Sequence, residues 1–183
     1  VIAVQGDNAV VSRELGSTSL GFYSRAYELV QYPAKLFSSV VGSVLFPAFS
    51  RLQDDRPALR EAFLRTLFVN SVVLLPLSAM LVILAPETLD VLLGAGWGDA
   101  VLPFQIMLAS MLFRTSYKVG GIVSRARGNV YYVALTQVIY AITVVGGAMI
   151  AVRWGVEGIA VTTTLSVVLQ FLLLSGGAAV HVE

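Results

Sequence analysis

Two stretches of this sequence place ionisable residues at helical spacing inside apolar surroundings. In the first, Arg25, Glu28 and Lys35 fall within about one quadrant of a helix, since each residue turns the chain by about 100°. Leu, Val and Phe cover much of the remaining surface. Ionisable groups at membrane depth are costly and rarely face lipid, so this stripe predicts a helix that lines a polar space inside a membrane protein.

The second stripe carries Arg114 and Lys118, which are four residues apart and therefore share one helix face. Together with Arg25 and Lys35 they form a set of four cations on two helices. Arginine matches phosphate oxygens with a rigid fork of donors, and lysine acts as a point charge, so the set suits an anionic substrate. The alternative is that these side chains pair with Glu28 or extend toward the membrane interface.

Two acids lie well inside the predicted spans, Asp7 and Glu28. A buried acid in a transporter can bind a proton or sodium ion and couple its gradient to a conformational change, so both are candidates for ion coupling. The alternative for Glu28 is a fixed ion pair with Arg25 on the same face. For Asp7 it is a contact at the helix end with Arg13 or Asn8.

Composition assigns the chain to the integral membrane proteins. Of 183 residues, 57% are apolar and 13% are charged, and the mean hydropathy is +0.82. A net charge of +1 excludes the broad basic surface of a nucleic-acid binder. The absence of cysteine and the single histidine, His181, argue against a disulfide framework or zinc site, and no cofactor is expected. No arrangement of nucleophile, base and acid indicates an enzyme.

The apolar pattern predicts an all-α, polytopic bundle of six membrane-spanning helices in a single transmembrane unit, 1–183. A short helix lying on the membrane surface is expected over about 56–64, after the cap and proline of Asp54-Asp55-Arg56-Pro57. The first residue is Val and no signal peptide is visible, so we expect the chain to begin inside a longer protein. The predicted spans are 1–15, 20–49, 66–85, 101–124, 130–152 and 158–180.

Basic residues predict the orientation of these spans. Arginines collect after the second and fourth helices, at 51–65 and 125–127, which places both connections in the cytoplasm. The connection 86–100 has no Lys or Arg and is expected outside. Trp97 and Trp154 then lie at the outer interface, as expected for an aromatic belt.

An ordered set of short motifs runs through nearly the whole chain. It resembles the lipopolysaccharide and polysaccharide exporters of the multidrug/oligosaccharidyl-lipid/polysaccharide flippase superfamily. The motifs are Leu20-Gly21-Phe22-Tyr23-Ser24-Arg25-Ala26-Tyr27, Leu45-Phe46-Pro47-Ala48, Arg51-Leu52-Gln53-Asp54-Asp55, Gly96-Trp97, Arg127-Gly128 and Gly155-Val156-Glu157-Gly158.

The resemblance implies a fold of two six-helix lobes, of which this stretch would be the second, with the first lobe absent from it. It also implies the function, which is flipping of an undecaprenyl-pyrophosphate-linked saccharide across the bacterial inner membrane by alternating access. The partners would be that lipid-linked saccharide, the first lobe and membrane lipid. Arg25, Lys35, Arg114 and Lys118 would then hold the pyrophosphate.

Other functions stay open at this point. Within the same superfamily the chain could belong to a lipid II flippase or to a drug/cation antiporter, although basic residues outnumber acids in the spans and a cation exporter needs an acidic cavity. A membrane polymerase or ligase acting on the same lipids would need a large external loop with catalytic residues. A structural or interaction module is the remaining class.

Overall fold

The computed structural model describes the backbone of residues 2–180 and the side chains of 6–36 and 42–177. Every regular element in this part of the chain is helical, which confirms the all-α class. The elements are α1 (Ile2–Glu14), α2 (Gly16–Arg51), α3 (Arg56–Ile83), α4 (Ala85–Leu93), α5 (Gly98–Ala109), α6 (Met111–Ala126), α7 (Val130–Ala151), a 3₁₀ turn (Val152–Trp154) and α8 (Gly155–Val180).

The predicted surface helix 56–64 and the predicted span 66–85 form one continuous helix, α3. It starts as the sequence indicates, because the Asp55 side chain accepts a hydrogen bond of 3.0 Å from the backbone N–H of Ala58 and Pro57 lies in the first turn. No Gly or Pro lies between Pro57 and Pro76, so nothing local separates a surface segment from the span. The prediction of two separate helices is wrong here.

The predicted span 101–124 is divided into two helices, α5 and α6, which meet at Ser110. The Ser110 hydroxyl donates to the carbonyl of Met107 at 2.7 Å, and its backbone N–H bonds to the same carbonyl at 3.1 Å. These bonds reach back three residues, whereas α-helical bonds reach back four, so they interrupt the ladder at this point.

The predicted outer connection 86–100 contains a further helix, α4. Pro86 in its first turn and Gly94 just after its end are ordinary signals of a helix start and stop. Gly94 has φ of 86°, a conformation that favours glycine. The segment 16–19, which separates two of the predicted spans, belongs to α2, and the positive φ of Gly16, 84°, lies at the junction of α1 and α2.

Helices α7 and α8 form an antiparallel pair. Gly147 lies beside Thr162, and Tyr132 donates a hydrogen bond to the carbonyl of Leu173, so residues approach in reverse order along the two helices. A Cβ atom at Gly147 would lie 3.0 Å from the Cβ of Thr162, which is tighter than most such contacts. The glycine therefore permits this close approach.

The main apolar core contains buried side chains from all eight α-helices, among them Tyr23, Met107 and Ile159. A second cluster around Phe49, Phe63 and Val123 joins α2, α3 and α6. These two clusters fix α2 and α6 relative to each other, and these are the helices that carry both charged stripes.

By length and composition, two helical segments of the described chain can cross a membrane, Arg56–Ile83 and the 48-residue stretch Val130–Gly177 that includes α7 and α8. The first has little of its surface buried, and it exposes large apolar side chains including Phe68, Val72 and Ile83. Such a surface suits lipid or another protein segment. The six crossings and the lobe arrangement stay predictions.

Candidate functional site

A polar cavity of about 500 Å³ lies among α1, α2, α6 and α7. Its size falls in the range of small-molecule sites, about 300–1,000 Å³. Both charged stripes contribute to its wall. The lining residues are Asn8, Ser24, Tyr27, Glu28, Gln31, Lys35, Arg114, Tyr117, Lys118, Gln137 and Tyr140.

Three of the four predicted anion-binding residues, Lys35, Arg114 and Lys118, lie on this wall. The fourth, Arg25, does not line the cavity. It is exposed and pairs with Glu28, with 2.8 Å between Nη1 of the arginine and Oε2 of the glutamate. The ion pair that the sequence offered as the alternative for Glu28 is therefore present.

Arg114 is the most buried of the cavity cations, with 2% of its surface exposed. Its guanidinium lies 5.1 Å from the centre of the Tyr27 ring, a cation–π distance. Its Nε and Nη2 atoms are buried and have no hydrogen-bond acceptor. Buried donors of a charged group are normally satisfied, so this side chain has unused capacity to bind an anion.

Lys118 lies one turn after Arg114 and donates a hydrogen bond of 3.3 Å to the carbonyl of Ala34 on α2. Lys35, the residue that follows Ala34 on α2, is exposed, and its Nζ lies 5.6 Å from the centre of the Tyr32 ring. The two lysines thus approach the cavity from different helices. Each ammonium is a point charge that can turn toward a phosphate group.

The cavity wall has an excess of positive charge. Lys35, Arg114 and Lys118 face a single lining carboxylate, Glu28, whose charge is already shared with Arg25. Like charges held together in a site of reduced dielectric repel one another, and an anion between them removes that repulsion. The arrangement is therefore suited to a phosphate-bearing ligand.

Asp7, the other ion-coupling candidate, is buried away from the cavity wall, with 1% of its surface exposed. It accepts hydrogen bonds from the Tyr23 hydroxyl at 2.6 Å and from the backbone N–H of Asn8 at 2.9 Å. The Tyr23 hydroxyl is also 3.0 Å from the hydroxyl of Thr163. Asp7 thereby connects α1, α2 and α8. Arg13 contacts Glu14 at 3.5 Å and lies largely in solvent.

Several neutral lining residues were not among the sequence-predicted site residues. Ser24, Tyr27 and Gln31 follow each other at steps of three and four on α2, and Ser24 and Tyr27 directly precede Arg25 and Glu28 of the predicted stripe. Such a stripe is visible in the sequence, but choosing between two adjacent stripes requires the rotation of the helix. The remaining missed residues are Asn8, Tyr117, Gln137 and Tyr140.

The described side chains contain no group of three or more His, Cys, Asp or Glu residues that could hold a metal ion. A second cavity of about 510 Å³ lies elsewhere, among α5, α7 and α8, and it is mostly apolar, with Glu157 as its one charged lining residue. It contains none of the cations described above. The polar cavity is thus the site at which the charged stripes can act together.

Residues 1–102, more than half of the chain, match the family model described as polysaccharide biosynthesis protein. The chain belongs to this family. The resemblance inferred from the motifs is confirmed, and the membrane class inferred from composition agrees with it. No solved structure gives a significant match.

The chain is also similar to three curated proteins of bacterial polysaccharide biosynthesis. The first is the amylovoran biosynthesis protein AmsL of Erwinia amylovora, to which the chain is 29% identical. That alignment covers 92% of the chain and 44% of AmsL. The second is the lipopolysaccharide biosynthesis protein WzxC of Escherichia coli K12, to which the chain is 24% identical. That alignment covers 90% of the chain and 35% of WzxC. The third is the succinoglycan biosynthesis transport protein ExoT of Rhizobium meliloti, to which the chain is 34% identical. That alignment covers 54% of the chain and 20% of ExoT. The chain spans less than half the length of these relatives.

Proposed function

We propose that this chain is part of a multi-pass exporter that moves a lipid-linked saccharide across the bacterial cytoplasmic membrane during cell-surface polysaccharide biosynthesis. The polar cavity would hold the pyrophosphate that joins the sugar to its undecaprenyl lipid. The observation that carries the proposal is Arg114, a buried cation on the cavity wall with two unsatisfied donor atoms. The names of the relatives, which include a transport protein, support the same direction.

The exposed polar face next to the cavity supports an assembly larger than this chain. Arg25, Lys35 and Gln137 are all exposed, and none of them is compatible with hydrocarbon. A further part of the same protein, corresponding to the predicted first lobe, would cover this face and enclose a hydrated passage. The greater length of the relatives leaves room for such a part.

The charge of the cavity favours this function over a drug/cation antiporter. A cationic substrate would meet Lys35, Arg114 and Lys118, and the one lining carboxylate is engaged with Arg25. The same composition favours transport over catalysis, since the described lining residues include no carboxylate free of an ion pair that could act as a general acid or base.

The test is export of polysaccharide by the full-length protein with Lys35→Gln and Lys118→Gln combined. We expect export to be lost while abundance in the membrane stays near that of the unaltered protein, because both charges face the cavity. The matched control is Arg60→Gln with Arg125→Gln, which removes the same charge from exposed positions off the cavity wall. Normal export by the lysine variant, or equal loss in the control, would contradict the anion site.

A further inference from the structure

The cavity wall has two chemically different sides. Among the lining residues that the structure describes, the charged ones come from α2 and α6, whereas α1 and α7 contribute the neutral polar residues Asn8, Gln137 and Tyr140. Gln137 and Tyr140 are three residues apart and therefore lie on one face of α7. The side formed by Asn8, Gln137 and Tyr140 is called the neutral side here.

A phosphate group cannot satisfy every hydrogen-bonding group on the neutral side, because this side includes acceptors as well as donors. Ionised phosphate oxygens only accept hydrogen bonds, but the Oδ1 atom of Asn8 is itself an acceptor, and it is buried without a partner. The side-chain amide of Gln137 adds another acceptor together with its donors. A hydroxyl group can donate to such oxygens and accept from the amide, so the neutral side matches a ligand rich in hydroxyl groups.

The aromatic residues of this region are fixed in place by packing. The Tyr140 ring belongs to an apolar cluster with Val144 and Val167, and its centre lies 6.5 Å from that of Tyr117. Only 7% of Tyr140 is exposed although the residue borders the cavity. A tyrosine with a packed ring can offer its polar end to a ligand without losing side-chain freedom on binding.

We propose that the neutral side binds the first sugar of the substrate, while the cations of α2 and α6 bind the pyrophosphate. This assignment rests on the proposed function, since it divides the same cavity into two subsites. Sugar recognition would then come from Asn8, Gln137 and Tyr140, and it would be separable from phosphate binding. Residues of α7 would distinguish one saccharide from another.

The experiment measures binding to the purified full-length protein in detergent by isothermal titration calorimetry. The probes are farnesyl pyrophosphate and three glycosylated forms of it, which carry glucose, galactose or N-acetylglucosamine. The quantity of interest is the sugar gain, the ratio of the dissociation constant of the plain probe to that of the tightest glycosylated probe. We expect this gain to be at least about 10-fold, since several neutral hydrogen bonds are added.

Gln137→Leu and Tyr140→Phe should each reduce the sugar gain by about 2- to 10-fold, the worth of one neutral hydrogen bond, and leave binding of the plain probe unchanged. Tyr140→Phe keeps the ring, so packing is preserved. The control is Thr143→Val, also on α7 but not on the cavity wall, which should alter neither value. Arg114→Gln should weaken plain and glycosylated probes by the same factor.

The outcomes separate the two proposals. If the plain probe does not bind to the unaltered protein, the proposed function fails and this assignment fails with it. If the plain probe binds but no glycosylated probe binds more tightly, the sugar subsite is refuted and the phosphate site stands. A gain that survives both α7 variants also refutes the assignment of the neutral side.

Discussion

The strongest prediction concerns Arg114→Gln in the full-length protein. This change removes a guanidinium whose Nε and Nη2 atoms have no acceptor in the structure, so the loss should appear when an anion is bound. A hydrogen bond to a charged group contributes about 1.5–3 kcal/mol. Loss of one such bond to the pyrophosphate should weaken binding of farnesyl pyrophosphate by about 10- to 150-fold in calorimetry.

The stability of this variant provides the second half of the test. Arg114 makes a cation–π contact with Tyr27, which is worth about 0.5–2 kcal/mol, but removing it also relieves the cost of a buried charge without an acid partner. The two terms oppose each other. We therefore expect the melting temperature in detergent to change by only a few degrees. A structural role for Arg114 would produce the reverse, with intact affinity and a large loss of stability.

The control for both measurements is Arg125→Gln, on the same helix but exposed and off the cavity wall. It removes the same charge, so a general electrostatic effect would weaken binding in both variants. Arg114→Lys keeps the charge but loses the planar fork, and it should recover only part of the affinity. Affinity for pyrophosphate that is unchanged in Arg114→Gln would refute the reasoning.

Three further predictions follow from the packing and from the loop charges. Gly120→Ala should destabilise the protein by about 1–3 kcal/mol, because the new Cβ would lie 3.0 Å from the backbone oxygen of Leu174. Gly121→Ala should be tolerated, since its Cβ would make ordinary contacts only. Equal melting temperatures for the two variants would contradict this packing. Tyr23→Phe should lower the free energy of unfolding by about 1–3 kcal/mol, because it removes the 2.6 Å hydrogen bond to Asp7. This loss should be smaller in an Asp7→Asn background, and an equal loss there would show that the two residues are not coupled. A cysteine at Ala95 should react with an impermeant thiol reagent from outside the cell and one at Asp54 should not, whereas reversed labelling would overturn the orientation.

The structure shows which residues of the two loops can be replaced by cysteine without disturbing the fold. Gly96 lies in the same connection as Ala95 but has φ of 104°, where any side chain is strained. Asp55 caps α3, so its replacement would weaken that helix, whereas Asp54 precedes the cap and is exposed. Neither constraint is visible in the loop charges that predict the orientation.

The sequence predicted the helical class, because long apolar stretches without alternation leave few other structures. It also predicted that Lys35, Arg114 and Lys118 share a polar space, since their spacing fixes the face on which they lie. It did not predict the break at Ser110, because serine is common inside helices and only its bonds to Met107 show that the ladder is interrupted. The helix α4 was missed although Pro86 and Gly94 indicate its ends.

The position of Arg25 outside the cavity has a physical explanation in the contacts of α2. A helix of regular period offers several adjacent stripes, and tertiary contacts decide which one faces inward. On α2 those contacts are made by Tyr23 and Tyr27, whose rings stack with centres 6.1 Å apart. The Tyr23 hydroxyl is held by Asp7 of α1 and Thr163 of α8, and the Tyr27 ring lies beside Arg114 of α6.

With both tyrosines held, the rotation of α2 is fixed from three sides. Ser24, Gln31 and Lys35 then border the cavity, and Arg25 is turned out to pair with Glu28 at the rim. The buried acid Asp7 contacts Tyr23 and the buried cation Arg114 contacts Tyr27, so each of the two stacked rings lies beside a charge of opposite sign. Arg25, the first residue of the predicted stripe, therefore lies outside the cavity wall because Tyr23 and Tyr27 set the rotation of α2. Both tyrosines are neutral, so the pattern of charges in the sequence could not predict this outcome.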